Sequence, residues 1–142
     1  MQRVNLVLGL KKLWPPIVWA LLILLLTGIP GNYVPKTISF LDWASPDKIV
    51  HFILFGGQTF LILFAFRDKL SDKKYLQKIA ISAITIGVAY GLLTEILQAY
   101  IFVGRDGNLF DFVADFLGAL LGFLAFYLLY IKKTNRNYVD KD

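Results

Sequence analysis

The chain has 142 residues, a net charge of +5, 57 % hydrophobic residues and no cysteine, with a mean hydropathy of +0.61. The missing cysteine excludes disulfides, thiolate metal sites and a thiol nucleophile. The apolar residues fall in four long blocks with basic residues between them, a pattern of one all-α, polytopic integral membrane bundle rather than of soluble domains or a nucleic-acid-binding surface.

The first block predicts a span from Leu13 to Ile29, with Pro15 and Pro16 at its start, where a missing N–H costs little. Arg3, Lys11 and Lys12 precede it, as in a signal peptide. The apolar stretch is long for one, and no small-x-small cleavage site follows in Thr27-Gly28-Ile29-Pro30, so it reads as a retained anchor. Residues 30 to 47 form a loop rich in Pro and Gly, whose Tyr33, Phe40 and Trp43 suit the membrane interface. Ser45-Pro46 opens a second helix, Asp47 to Phe66. A charged hairpin, Arg67 to Lys78, leads into a third span from Ile79 to Tyr100, with a few residues more if it continues to Val103. The turn Gly104-Arg105-Asp106-Gly107-Asn108 precedes a fourth span, Leu109 to Ile131. One domain, 10–131, and a polar tail, 132–142, follow from this division.

Twelve of the fifteen Lys and Arg residues fall on one side of these spans, in the N-terminus, the hairpin and the tail. Lys36, Lys48 and Arg105 fall on the other. By the positive-inside rule this bias puts both termini in the cytoplasm. The polar residues of the helices then gather at the outer ends: Asp47, Lys48 and His51 in the second helix, Glu95 and Gln98 in the third, Arg105 in the turn, and Asp111 and Asp115 in the fourth. Asp47 and His51 are four apart, as are Asp111 and Asp115, and Glu95 and Gln98 are three apart, so each pair shares a helix face. Gly87 and Gly91 continue the Glu95 face inward, and Gly118 and Gly122 continue the Asp115 face. Such GxxxG patterns let membrane helices approach closely, and they predict that the third and fourth helices meet at these faces. Gln58 extends the His51 face.

A charge at the bilayer centre costs about 2.5–3.5 kcal/mol on insertion scales. A third helix running to Val103 sets Glu95 roughly 12 Å below its end, with Arg105 and His51 as its available cationic partners. Plainer readings stand beside the functional ones. His51 can orient its helix as a hydrogen-bonded histidine, or move a proton near neutral pH. Glu95 and Gln98 can be interhelical glue, Arg105 a headgroup anchor or an anion-binding guanidinium, and Asp111 a helix cap. Asp47, His51, Glu95, Asp111 and Asp115 together offer oxygen and imidazole ligands for a divalent ion. Their spacing matches no dedicated metal motif, so no metal ligand is assigned, and the residues name no cofactor.

These residues resemble the VanZ-like family, named for an accessory protein of glycopeptide-resistance gene clusters. The resemblance runs from about residue 10 to residue 130. It rests on Pro46-Asp47-Lys48 followed by His51, Glu95-x-x-Gln98, Arg105 with Asp111 six residues on, and Gly118-x-x-x-Gly122. The family usually shows Asn where this chain has Asp115, which adds a carboxylate to the group. The resemblance implies a bacterial cell-envelope protein, in some members linked to reduced susceptibility to teicoplanin.

Two functions are compatible with this reading. One is a non-enzymatic factor of the cytoplasmic membrane that binds membrane lipid, or a lipid-linked cell-wall precursor, in an outward-facing pocket. Asp47, Lys48, Gln98, Arg105, Asp111 and Asp115 would supply its contacts. The other is a membrane-embedded transferase or hydrolase acting on a lipid, with Glu95 as acid or base and His51 as its proton partner. Transport ranks last, because four short spans would need to oligomerise and no inverted repeat is visible.

Overall fold

The structure is a computed structural model that describes residues 11–33, 46–70 and 72–132. The interfacial loop with Lys36, Phe40 and Trp43 lies outside the described residues, as does all of the tail beyond Lys132. Every regular element among the described residues is helical, and four helices dominate: α1, Trp14–Thr27; α2, Pro46–Ala65; α3, Lys73–Tyr100; and α4, Leu109–Phe126.

The limits of the helices follow local chemistry. Pro15 and Pro16 fill the first turn of α1, and Gly28 ends it. Its 14 residues span only about 21 Å, shorter than the predicted Leu13 to Ile29 and short of the roughly 30 Å of a bilayer core. α2, α3 and α4 are long and apolar enough to cross. α3 starts earlier than predicted, inside the charged hairpin, because the Asp72 side chain caps it by accepting from the Lys74 N–H at 2.8 Å. It stops at Tyr100 rather than running on to Val103. α4 is capped by Asn108, whose side chain accepts from the Phe110 N–H at 2.9 Å. A π-helical turn, Tyr127–Ile131, carries it on.

The surface is apolar, unlike that of a water-soluble protein, and polar side chains are buried. Trp14, Ile17, Leu21 and Leu25 form an exposed apolar stripe along α1, and α3 and α4 expose Leu92, Ile96, Leu117 and Leu121. Beside apolar residues such as Ile23, Phe55 and Leu63, the buried set includes His51, Gln58, Thr59, Thr94, Glu95, Gln98, Asp111 and Asp115. Water would penalise such a surface and hydrocarbon does not. The protein is a helical membrane bundle.

The tightest contact between its helices is that of α2 with α4. A Cβ on Gly118 would lie 3.0 Å from the carbonyl carbon of Phe52, and one on Gly122 would lie 2.9 Å from that of Gly56. The polar faces of α3 and α4 do meet, with Gly91 against Asp115, but the Gly118 and Gly122 stripe of α4 packs on α2, a correction to its pairing with α3 drawn from the sequence. Gly87 and Gly91 of α3 leave room for side chains instead, Thr59 and Asp115 respectively. α1 is held from outside: Trp19 Nε1 donates to the Leu54 carbonyl at 2.8 Å, and the Tyr90 hydroxyl donates to the Ala20 carbonyl at 2.6 Å.

The two ends of the bundle differ. At the hairpin end, Ile62, Leu63, Leu70, Ala83 and Phe126 form an apolar core, with Phe126 and Tyr130 stacked at 5.0 Å. Lys12 contacts Asp68 at this end and holds its exposed carboxyl below the ordinary aspartate range. The polar residues occupy the other end, where α2 and α4 begin and α3 finishes.

Candidate functional site

Antiparallel neighbours bring the first turns of α2 and α4 beside the last turns of α3. His51 projects from the second turn of α2 into the centre, 1 % exposed. Its Nδ1 lies 2.9 Å from Asp115 Oδ1 and 3.7 Å from Glu95 Oε1, so one imidazole joins three helices. The ring stacks on Phe55, one turn deeper, at 6.1 Å. Asp115 is fully buried, and its carboxylate packs over Gly91 of α3, where any larger residue would strike it. Glu95 Oε2 accepts from the Asn108 backbone N–H at 2.7 Å, leaving Oε1 on the His51 side.

Two ion pairs ring this inner group. Arg105 Nη2 donates to both carboxylate oxygens of Asp47, at 3.2 and 3.3 Å. Lys48 Nζ lies 3.5 Å from Asp111 Oδ1. Both cationic side chains are largely sequestered, at 8 % exposure for Arg105 and 13 % for Lys48. The Arg105 turn is built by Gly104, whose φ of +68° suits glycine. It is pinned to the end of α1 by the Gly31 N–H, which donates to the Val103 carbonyl at 3.2 Å.

Most of the predicted residues thus converge, with three differences. Arg105 pairs with Asp47 rather than Glu95, so His51 is the cationic partner that Glu95 meets. Gln98 points away from the cluster and donates to the Thr27 carbonyl at 3.0 Å, tying α3 to α1. Glu95 is five residues from the end of α3, about 7.5 Å at 1.5 Å per residue, shallower than a longer helix would set it. Sequence reading missed Asn108, which both caps α4 and holds Glu95. An Asn directly before an apolar run that contains an acid is a recognisable N-cap signal.

Buried polar atoms at this site have unfilled bonding capacity. His51 Nε2, Glu95 Oε1 and Asp115 Oδ2 are inaccessible and make no hydrogen bond. Beside Glu95, a shallow groove of about 340 Å³ opens between α3 and α4, lined by Leu92, Ile96, Ala99, Tyr100, Leu109 and Phe112 among others. The arrangement offers two cations for an anion, an imidazole fixed between carboxylates, and an apolar approach from the side.

No curated protein and no solved structure matches the chain. The family described as VanZ/LLP1 does match, over residues 16–130, a stretch that contains α2, α3, α4, nearly all of α1 and every residue of the cluster. The chain belongs to the VanZ/LLP1 family.

Proposed function

We propose that this protein binds the phosphate-bearing headgroup of a lipid, or of a lipid-linked cell-wall intermediate, at the polar end of its bundle. In this reading it resides in a bacterial cytoplasmic membrane with that end facing outward. By holding such an intermediate it changes how much target a glycopeptide-type antibiotic meets, and so lowers susceptibility. The observation that carries the reading is the convergence of Lys48 and Arg105 on one buried cluster, whose Glu95 borders a shallow apolar groove that a hydrocarbon chain would suit. Guanidinium groups favour phosphate oxygens through paired N–H donors. Asp47 holds this one in place until an anion competes for it.

The test is binding of a polyprenyl phosphate to purified protein in nanodiscs, with the matching polyprenyl alcohol as comparator. The phosphate binds and the alcohol binds at least tenfold more weakly. Arg105→Gln weakens phosphate binding about tenfold or more. The double variant Asp47→Asn/Arg105→Gln, which leaves no acid stranded, is equally weak. Equal affinity for alcohol and phosphate refutes the reading.

A second reading, a membrane-embedded hydrolase or transferase acting on the same lipid, is favoured by one detail. His51 is oriented by Asp115 at 2.9 Å and lies 3.7 Å from Glu95, an arrangement suited to proton transfer. If it holds, Glu95→Gln abolishes product formation while lipid binding survives. Lipid recovered unchanged after prolonged incubation with the wild-type protein leaves binding alone.

A further inference from the structure

We infer that the inner triad His51, Glu95 and Asp115 is a binding site for one divalent cation. Three independent features of the structure lead there.

The first is geometry. The candidate ligand atoms of the three residues lie within 4.8 Å of one another. For metal–ligand bonds of about 2.1 Å, adjacent ligand atoms lie about 3.0 Å apart in an octahedron and about 3.4 Å apart in a tetrahedron. The observed separations from His51 Nδ1, 2.9 Å to Asp115 and 3.7 Å to Glu95, bracket those values. An ion would take the place of the proton that His51 and Asp115 share.

The second is unfilled valence. All three side chains are more than nine-tenths buried, at 1 %, 7 % and 0 % exposure. Glu95 Oε1 and Asp115 Oδ2 have no hydrogen-bond partner, while the His51 nitrogen facing them, Nδ1, is the one that contacts Asp115. Buried carboxylate oxygens without partners are costly, and ion coordination satisfies them. The opposite oxygen of Glu95 is already held by the Asn108 N–H, the kind of outer contact that orients a ligating carboxylate.

The third is charge. With its acids ionised, the cluster holds four carboxylates, Asp47, Glu95, Asp111 and Asp115, against the two permanent cations Lys48 and Arg105. Those cations lie against the outer acids Asp111 and Asp47. Among the described residues, the basic side chain in ion contact with Glu95 and Asp115 is His51. A dication balances the two inner carboxylates. One imidazole and two carboxylates, with no thiolate in the chain, suit Mn²⁺ or Zn²⁺ rather than a soft ion.

The inference goes beyond the lipid reading and stands without it, since the ligands are all protein atoms. Purified full-length protein in detergent, stripped with chelator and free of added lipid, is titrated with Mn²⁺. Loss of the free-ion electron paramagnetic resonance signal measures the stoichiometry. One Mn²⁺ binds per chain, Zn²⁺ displaces it, and electron spin echo modulation shows coupling to an imidazole nitrogen. Glu95→Gln and Asp115→Asn each weaken binding tenfold or more. Asp68→Asn, at the other end of the bundle, leaves it unchanged. Bound Mn²⁺ without nitrogen coupling, or no saturable binding up to millimolar ion, overturns the site. The nitrogen signal needs only wild-type protein, so a variant that fails to fold does not decide the result. Ion binding by a chain that ignores polyprenyl phosphate leaves this site standing and removes the lipid reading. The reverse result does the opposite.

Discussion

Gly122→Ala is the sharpest probe of how this bundle is assembled. A Cβ there would sit 2.9 Å from the carbonyl carbon of Gly56 and 3.1 Å from its Cα, and closer still to its oxygen. Non-bonded carbons rest about 3.5–4.0 Å apart, and backbone cannot rotate out of the way as a side chain can. α2 and α4 must therefore part by about 0.5–1 Å, which forfeits about a quarter to a half of each atom pair's 0.1–0.2 kcal/mol. Over some twenty pairs that is about 1 kcal/mol, and overpacking strain brings the total to about 2–3 kcal/mol. The intrinsic gain of Ala over Gly in a helix returns up to about 1 kcal/mol, so the net loss is about 1–2 kcal/mol. Gly87→Ala is the matched comparison. Its Cβ meets Thr59 Oγ1 at 2.8 Å and Ala119 Cβ at 3.4 Å, side-chain atoms rather than backbone, so a small shift of one side chain accommodates it and the loss is smaller than for Gly122→Ala. Reversible unfolding in mixed micelles with rising SDS fraction, followed by far-ultraviolet circular dichroism, gives both values. A Gly122→Ala protein as stable as wild type, with Gly87→Ala less stable, would refute the assignment of the close contact to α2 and α4.

Two further predictions concern the outer helix and the orientation. Trp19→Phe and Tyr90→Phe each remove one hydrogen bond between α1 and the bundle, and each costs about 0.6 kcal/mol, the average for such bonds in membranes, in the same unfolding assay. Asp68→Asn, which loses an exposed contact to Lys12, changes nothing measurable. Asp106 and Lys74 are exposed and lie at opposite ends of the bundle. Cysteines placed there react with a membrane-impermeant maleimide from outside the cell at 106 and only after permeabilisation at 74; the reverse pattern overturns the outward-facing site.

The helices were legible where a local signal marked their ends. Pro46 opens α2, and the acid-bearing run after Asn108 opens α4, so both starts fall within about one residue of expectation. α3 carries no such stop signal. Ile101-Phe102-Val103 continues its apolar pattern, so the reading left open a few residues beyond Tyr100, the end that the helix keeps; past it the Val103 carbonyl accepts from Gly31 of a distant segment, a tertiary contact that helical periodicity cannot register. The polar cluster was legible as a set, because residues three or four apart share a face whatever the neighbours do. Its internal pairing was not. Arg105 and Asp47 are 58 positions apart, and either Asp47 or Glu95 satisfied the sequence pattern equally well. The glycines show the same division. A GxxxG stripe states that something comes close and not which helix it is. Gly56 in α2, which meets Gly118, was the available clue to the partner of α4, while its neighbour Gly57 makes room for Trp19 of α1.

The energetics argue that the polar end serves something other than stability. The bundle already has a close backbone contact at Gly118 and Gly122 and an aromatic core at the hairpin end. Taking charged groups out of water carries a penalty of several kcal/mol per ion, and their mutual attraction returns it only when each lone pair is satisfied. Here Glu95 Oε1 and Asp115 Oδ2 are not satisfied by the protein. Leu or Phe in these positions would pack three helices with no such penalty. The glycine contact sits three residues from Asp115 and one from His51, in the segments that fix the distance between them. Close packing at Gly118 therefore sets the spacing of the inner triad, as a bound ion or headgroup requires. A cluster held to such a spacing while its own valences remain open is not accounted for by packing, and the Mn²⁺ and polyprenyl phosphate titrations test whether a ligand accounts for it.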